Sequence, residues 1–136
     1  MKYISIRKLF LYAIALGIGG FFLFFITTCL YIGTQVDDRC QYAMSEYDGD
    51  CVESLISLLN DESNGYRTRN SAIWALSQLG DSRALLVLQS YYTGDIPERE
   101  PLDQSLSQYE LKKAINLTSG GFNMGAWVWR WMVDDI

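Results

Sequence analysis

The sequence predicts an all-α protein, an N-terminal transmembrane helix followed by a short α-solenoid of helical hairpins. Three observations carry that prediction. An uncharged apolar run opens the chain, and the remainder shows helical apolar periodicity punctuated by capping residues. Two of the helical segments also overlay at a spacing of about thirty residues, in the range of stacked-helix repeats.

From Leu9 to Gly33 the chain reads LFLYAIALGIGGFFLFFITTCLYIG without a charge, where about 20 apolar residues cross the hydrocarbon core as a helix. Residues 9–33 are therefore read as an uncleaved membrane anchor. A secretory signal has a shorter apolar core followed by a small-x-small site; none follows this run, and Ala13-Ile14-Ala15 comes too early. A lipoprotein reading at Ile26-Thr27-Thr28-Cys29 fails on the bulk of Thr28 and on the apolar sequence beyond Cys29. Gly17, Gly19 and Gly20 lack the G-x-x-x-G spacing of a helix-pairing face and read as lipid-facing.

Lys2, Arg7 and Lys8 make residues 1–8 a basic flank, and Asp37 and Asp38 follow the span. Cytoplasmic flanks are the basic ones, so the N-terminus is expected in the cytoplasm and the rest on the periplasmic, extracellular or lumenal side. Beyond the span lie eight basic and sixteen acidic residues, a formal charge of −8 that argues against nucleic acid as partner. Cys40 and Cys51 are the thiols on that side and are read as a disulfide pair. Two cysteines without a histidine are a poor zinc site.

Residues 34–50 read as a juxtamembrane linker with a helical turn at most, and 51–136 as the repeat domain. Asp50 with Glu53 forms an acidic capping box for a helix over 51–60, whose Val52, Leu55, Ile56 and Leu59 share a face. Asp48, Asp50 and Glu53 could also gather around calcium, but without a spaced loop they read as caps. A second helix runs over 66–79 with Ala72, Ile73, Ala75, Leu76 and Leu79 as its stripe and Gly80 as left-handed cap. Trp74 lies beside that stripe, either filling the gap to the next layer or left as a contact residue.

Asp81 or Ser82 caps a third helix over 83–92, apolar on most sides and so expected to have neighbours on more than one face. "DIPEREPLDQS" follows, an exposed loop in which Pro97, Glu98, Arg99, Glu100 and Pro101 are candidate contact residues. A fourth helix starts at Ser107, with Glu110 as capping-box partner and Leu106 and Leu111 as hydrophobic staple, and runs to about residue 117. The end of the chain alternates Trp127, Trp129 and Trp131 around Arg130. Period two would suit a strand, but in an all-helical neighbourhood Met124, Trp127, Val128 and Trp131 make one face of a final helix; the segment either seals the last hairpin, forms an interaction surface or lies as a membrane-interface belt.

"VESLISLLND" overlays "SRALLVLQSY", which describes two helical hairpins in tandem. The pattern Arg69-x-x-Ala72-x-x-Ala75-Leu76-x-x-Leu79-Gly80-Asp81-x-Arg83-Ala84 resembles the core of HEAT repeats, particularly the short HEAT-like type of phycobilisome lyases and bacterial scaffold proteins. The resemblance is specific over 69–88, fair over 51–92 and weak beyond. Together with the apolar run it makes the chain read as a membrane-anchored, bacterial-type member of that group. It also implies that an aspartate and an arginine order the turn between paired helices; Asp61 and Arg69 occupy those positions, with Arg67 as the alternative, while Gly80 and Asp81 form the next repeat turn.

No histidine occurs, which excludes Ser-His-Asp and Cys-His nucleophilic systems and His-based metal sites, including the His-Glu iron sites of HEAT-like enzymes. Ser5-x-x-Lys8 falls in the membrane flank, and neither G-x-x-x-x-G-K-[ST] nor G-x-G-x-x-G is present. Asn116-Leu117-Thr118 matches a glycosylation sequon by pattern alone. The expectation is a non-enzymatic scaffold that holds a membrane or envelope protein and has no cofactor, metal or catalytic residue. Barely two hairpins make a small core, which favours a partner or self-association. The alternative, implied by the resemblance, is an accessory subunit or lyase-like chaperone of a cofactor-attachment system.

Overall fold

The computed structural model describes residues 5–132, which form six α-helices with no strand among the described residues. Lys2 of the basic flank and residues 133–136 of the expected repeat domain lie outside the described residues. Helix α1 spans Ile6–Glu46, α2 Cys51–Asn60, α3 Tyr66–Leu79, α4 Leu85–Tyr91, α5 Gln108–Thr118 and α6 Met124–Met132. Four of these match the helices expected from caps and periodicity closely, because caps and apolar spacing are local signals. Asp50 accepts from Glu53 N at 3.0 Å while Glu53 Oε2 accepts from Asp50 N at 3.3 Å. Ser107 Oγ accepts from Glu110 N at 3.1 Å, and Gly80 ends α3 at φ +61°, a backbone region that glycine enters without a Cβ clash.

The first half of α1 is exposed and is long and apolar enough to cross a membrane. Residues 34–50, expected as a linker, are instead helical as far as Glu46 and continuous with the apolar run. Nothing between Gly33 and Tyr47 breaks a helix. Cys29, Gly33, Val36, Cys40 and Ala43 recur at alternating spacings of four and three, which places them on one face, and these are the buried residues of α1. Cys29, expected among lipid, is only 2% exposed.

The pairs α2–α3 and α4–α5 pack as two successive hairpins, with α3 also against α5. The buried half of α1 covers α2 and α3, and α6 returns to lie on α1. Ala72 and Ala75 are fully buried on α3, where small side chains let neighbouring backbones approach, and Leu55, Leu59, Ile73, Leu76, Leu88 and Leu111 fill the space between layers. Cys40 and Cys51 are joined as a disulfide with Cα atoms 4.8 Å apart, tying α1 to the first residue of α2. Helix α4, apolar on most sides and expected to have neighbours on more than one face, follows a 3₁₀ turn over Ser82–Ala84 and leaves Leu86 78% exposed. It is the outermost layer, and a further repeat would be needed to cover that face.

Candidate functional site

Arg67, Asn70, Ser71 and Trp74 recur at helical spacing on one side of α3, and with Leu102 and Glu110 they line a groove of about 440 Å³. Trp74, read either as filling the gap to the next layer or as a contact residue, is partly buried against the core and also walls this groove. The rim is the Pro-containing segment between α4 and α5. That segment is pinned rather than loose, and the residue that pins it is Asn70, 8% exposed. Its side-chain amide donates to Leu102 O at 3.0 Å and Ser105 O at 2.8 Å, while its Oδ1 accepts from Ser107 N at 2.8 Å.

Glu100, expected as an exposed contact residue, caps α5 instead. Its carboxylate accepts from Ser107 Oγ at 2.5 Å, Gln108 N at 2.6 Å and Tyr109 N at 3.2 Å. A carboxylate there satisfies the first N–H groups of the helix and faces its positive end. Gln108 Oε1 ties the other end of the segment by accepting from Thr93 N at 2.8 Å. Between these ties, Pro97, Glu98, Arg99 and Pro101 remain exposed. Glu110 does not close its expected capping box, because Asn70 already takes the Ser107 N–H; its Oε2 lies 3.6 Å from Lys113 Nζ and lacks a hydrogen bond.

Asn70→Ala is expected to cost about 2 kcal/mol, since a buried N–H and two carbonyls lose their partner together. Hydrogen exchange of residues 99–107 checks it, with faster exchange there than in α2. The sequence signal for Asn70 was a poor helix former in mid-helix, a residue type that stays in such a place when its amide has long-range partners.

The α2–α3 turn is ordered by other pairs than the resemblance implied. Arg69 does not meet Asp61; its Nε donates to Leu59 O at 2.8 Å, and its guanidinium lies between the rings of Tyr66 and Tyr91, 5.9 and 5.6 Å from their centroids. The guanidinium thus satisfies a carbonyl of the last turn of α2. Asp61 accepts from Ser63 Oγ at 2.6 Å and Tyr47 OH at 2.7 Å, and the Ser63 bond foremost lowers its pKa. Arg67, the alternative, is exposed and lines the groove. At the next turn Asp81 caps by accepting from Arg83 N at 2.8 Å, and Arg83 reaches across to Asp50 at 2.6 Å. The Arg83 guanidinium holds Asp81 below the usual carboxylate range, while Asp50 is lowered first by the Glu53 N–H and then by Arg83.

The tryptophan-rich end divides its residues between two roles. Trp129 is 1% exposed and packs on Gly33 of α1, where an added Cβ would come within 3.3 Å of the Trp129 Cβ. It is therefore a sealing residue and not part of a surface. Arg130 is likewise structural: its Nε donates to Gln78 O at 3.0 Å, Nη2 donates to the same carbonyl, and the cation lies 5.8 Å from the Trp129 ring centroid. A basic group on the last turn of α3 complements the negative end of that helix. Trp127 and Trp131 are 61% and 76% exposed and face outward.

Among the described residues no group of three His, Cys, Asp or Glu is placed to hold a metal ion. No curated protein and no solved structure matches the chain. A family model described as PBS lyase HEAT-like repeat matches residues 68–93, the stretch that holds most of α3, the left-handed Gly80 cap, the Asp81 turn and α4.

Proposed function

We propose that the protein is a single-pass, membrane-anchored helical-repeat scaffold that binds another protein on the extracytoplasmic side through the α3–α5 groove. The groove itself carries the reading. It pairs a half-buried tryptophan and Leu102 with the charges of Arg67 and Glu110, and Asn70 and Glu100 hold its rim in shape before any partner arrives. A preformed apolar cleft with a few polar groups binds without a large ordering cost, and a tryptophan in such a cleft is a frequent energetic anchor.

Sidedness rests on the basic flank before the span and on the Cys40–Cys51 disulfide, a bond that persists in oxidising compartments. Catalysis is not part of this reading, since no histidine is available as base or ligand. The reading as an accessory subunit or chaperone of a cofactor-attachment system rests on the family description alone.

Photo-crosslinking from native membranes tests the proposal. A benzoylphenylalanine in place of Leu102 is expected to give one discrete adduct that Trp74→Ala abolishes and that the same probe at Leu86 does not give. Adducts that survive Trp74→Ala, or that form equally at Leu86, would overturn it.

A further inference from the structure

We infer that the outward face of α6, Met124, Trp127 and Trp131, together with Phe122 just before it and Tyr31 of α1, lies in the interface of the same bilayer that α1 crosses and seats the helical domain against that membrane. The inference rests on reading α1 as a membrane span. These five side chains are 76%, 57%, 61%, 76% and 63% exposed. Five large apolar or aromatic groups left open on one small domain are costly in water.

Their height along α1 identifies what covers them. From Leu9 to Thr28 the helix is almost entirely exposed, about 30 Å at 1.5 Å per residue, the thickness of the hydrocarbon core. Cys29 is the first α1 residue that the domain buries. Charge returns at Asp37, so the uncharged run Leu9–Val36 is about 42 Å long and matches the bilayer with its headgroups.

Helix α6 packs within that final margin. A Cβ on Gly125 would lie 3.9 Å from Cys29 Sγ, and Trp129 lies on Gly33, so α6 runs alongside α1 in the same direction with its N-terminal end nearest the lipid. Ile32 borders Phe122 and Met124 in one shallow depression. The outward residues of α6 therefore occupy the depth at which tryptophan and tyrosine are favoured, with ring bodies toward acyl chains and polar edges toward headgroups. With a domain charge of −8, the attraction is aromatic and apolar, so zwitterionic lipid suffices.

The test reconstitutes the full chain in phosphatidylcholine nanodiscs and measures tryptophan quenching by lipids brominated near the headgroup or deep in the acyl chain. Shallow bromine is expected to quench strongly and deep bromine weakly. Trp127→Ser with Trp131→Ser should remove most of that quenching while leaving the melting temperature nearly unchanged, because both side chains are already exposed. A separate Leu16→Trp variant reports the span itself, with deep quenching expected.

Deep quenching at residue 16 without any at α6 would overturn the seat while leaving the span standing. Quenching at neither place would remove the membrane reading altogether. Efficient disulfide cross-linking of Trp127→Cys between copies, with no lipid quenching, would assign the face to a second copy of this chain and overturn the seat.

Discussion

Trp129→Ala is expected to detach α6 and to cost about 3–5 kcal/mol, the range for removing a buried tryptophan and leaving its cavity. Small domains hold a net stability of about 5–15 kcal/mol, so the substitution takes a large share of the total. The site cannot collapse to compensate, because the other wall is Gly33, which has no side chain to move into the space. Trp129→Phe is the informative comparison. The indole Nε1 is buried without a hydrogen-bond partner, so phenylalanine removes an unsatisfied donor while keeping most of the ring, and the expected cost is below about 1.5 kcal/mol. Denaturant unfolding of the detergent-solubilised full chain, followed by near-ultraviolet circular dichroism, separates the two. Equal losses for alanine and phenylalanine would show that the packing on Gly33 is not what holds α6.

Replacing both Cys40 and Cys51 by serine is expected to cost about 3 kcal/mol, the chain-entropy value for the short loop closed by cysteines 11 residues apart. The bond acts at the one point where the long helix must turn back on itself, through the Tyr47–Asp50 segment into α2. Without it, α1 and α2 still pack together and Val36 and Ala43 stay buried, so the fold survives with a lower midpoint and no change in helix content. Reductant added to the native protein should lower the midpoint by the same amount and leave the double-serine protein unaffected. A midpoint indifferent to reductant would show that the bond does not form, and with it the argument for an oxidising compartment would lose its structural support.

How much was legible depended on whether the deciding interaction is local. Helices α2, α3 and α5 were readable to within a residue or two because Asp50, Gly80 and Ser107 act on backbone atoms four or fewer residues away. The continuation of α1 through residues 34–46 was not readable in the same way. Its buried stripe of Cys29, Gly33, Val36, Cys40 and Ala43 consists of small residues, and its first members lie inside a run that is apolar on every side, so the stripe makes little contrast. Spacing alone held the signal.

The groove was half legible. Trp74 stood out by type, but Asn70 and Glu100 looked like an ordinary helix residue and an ordinary loop charge. Their partners are 35 and 8 residues away for the Ser105 and Gln108 bonds, and nothing in a local window distinguishes a carboxylate in water from one capping a helix. The partner of Arg130 was out of reach for the same reason, since the Gln78 carbonyl lies 52 residues back.

The sequence by itself determined the all-helical class, the long apolar run, the capped ends of α2, α3 and α5 and the HEAT-like pattern within residues 68–93, because periodicity and capping are written in neighbouring residues. Tertiary structure alone decided which tryptophan is sealed and which are open, which loop charge caps a helix, and how far α1 reaches into the domain. Those outcomes depend on which surfaces meet when α6 folds back onto α1, and the close approach of Trp129 to Gly33 joins residues that no local pattern relates.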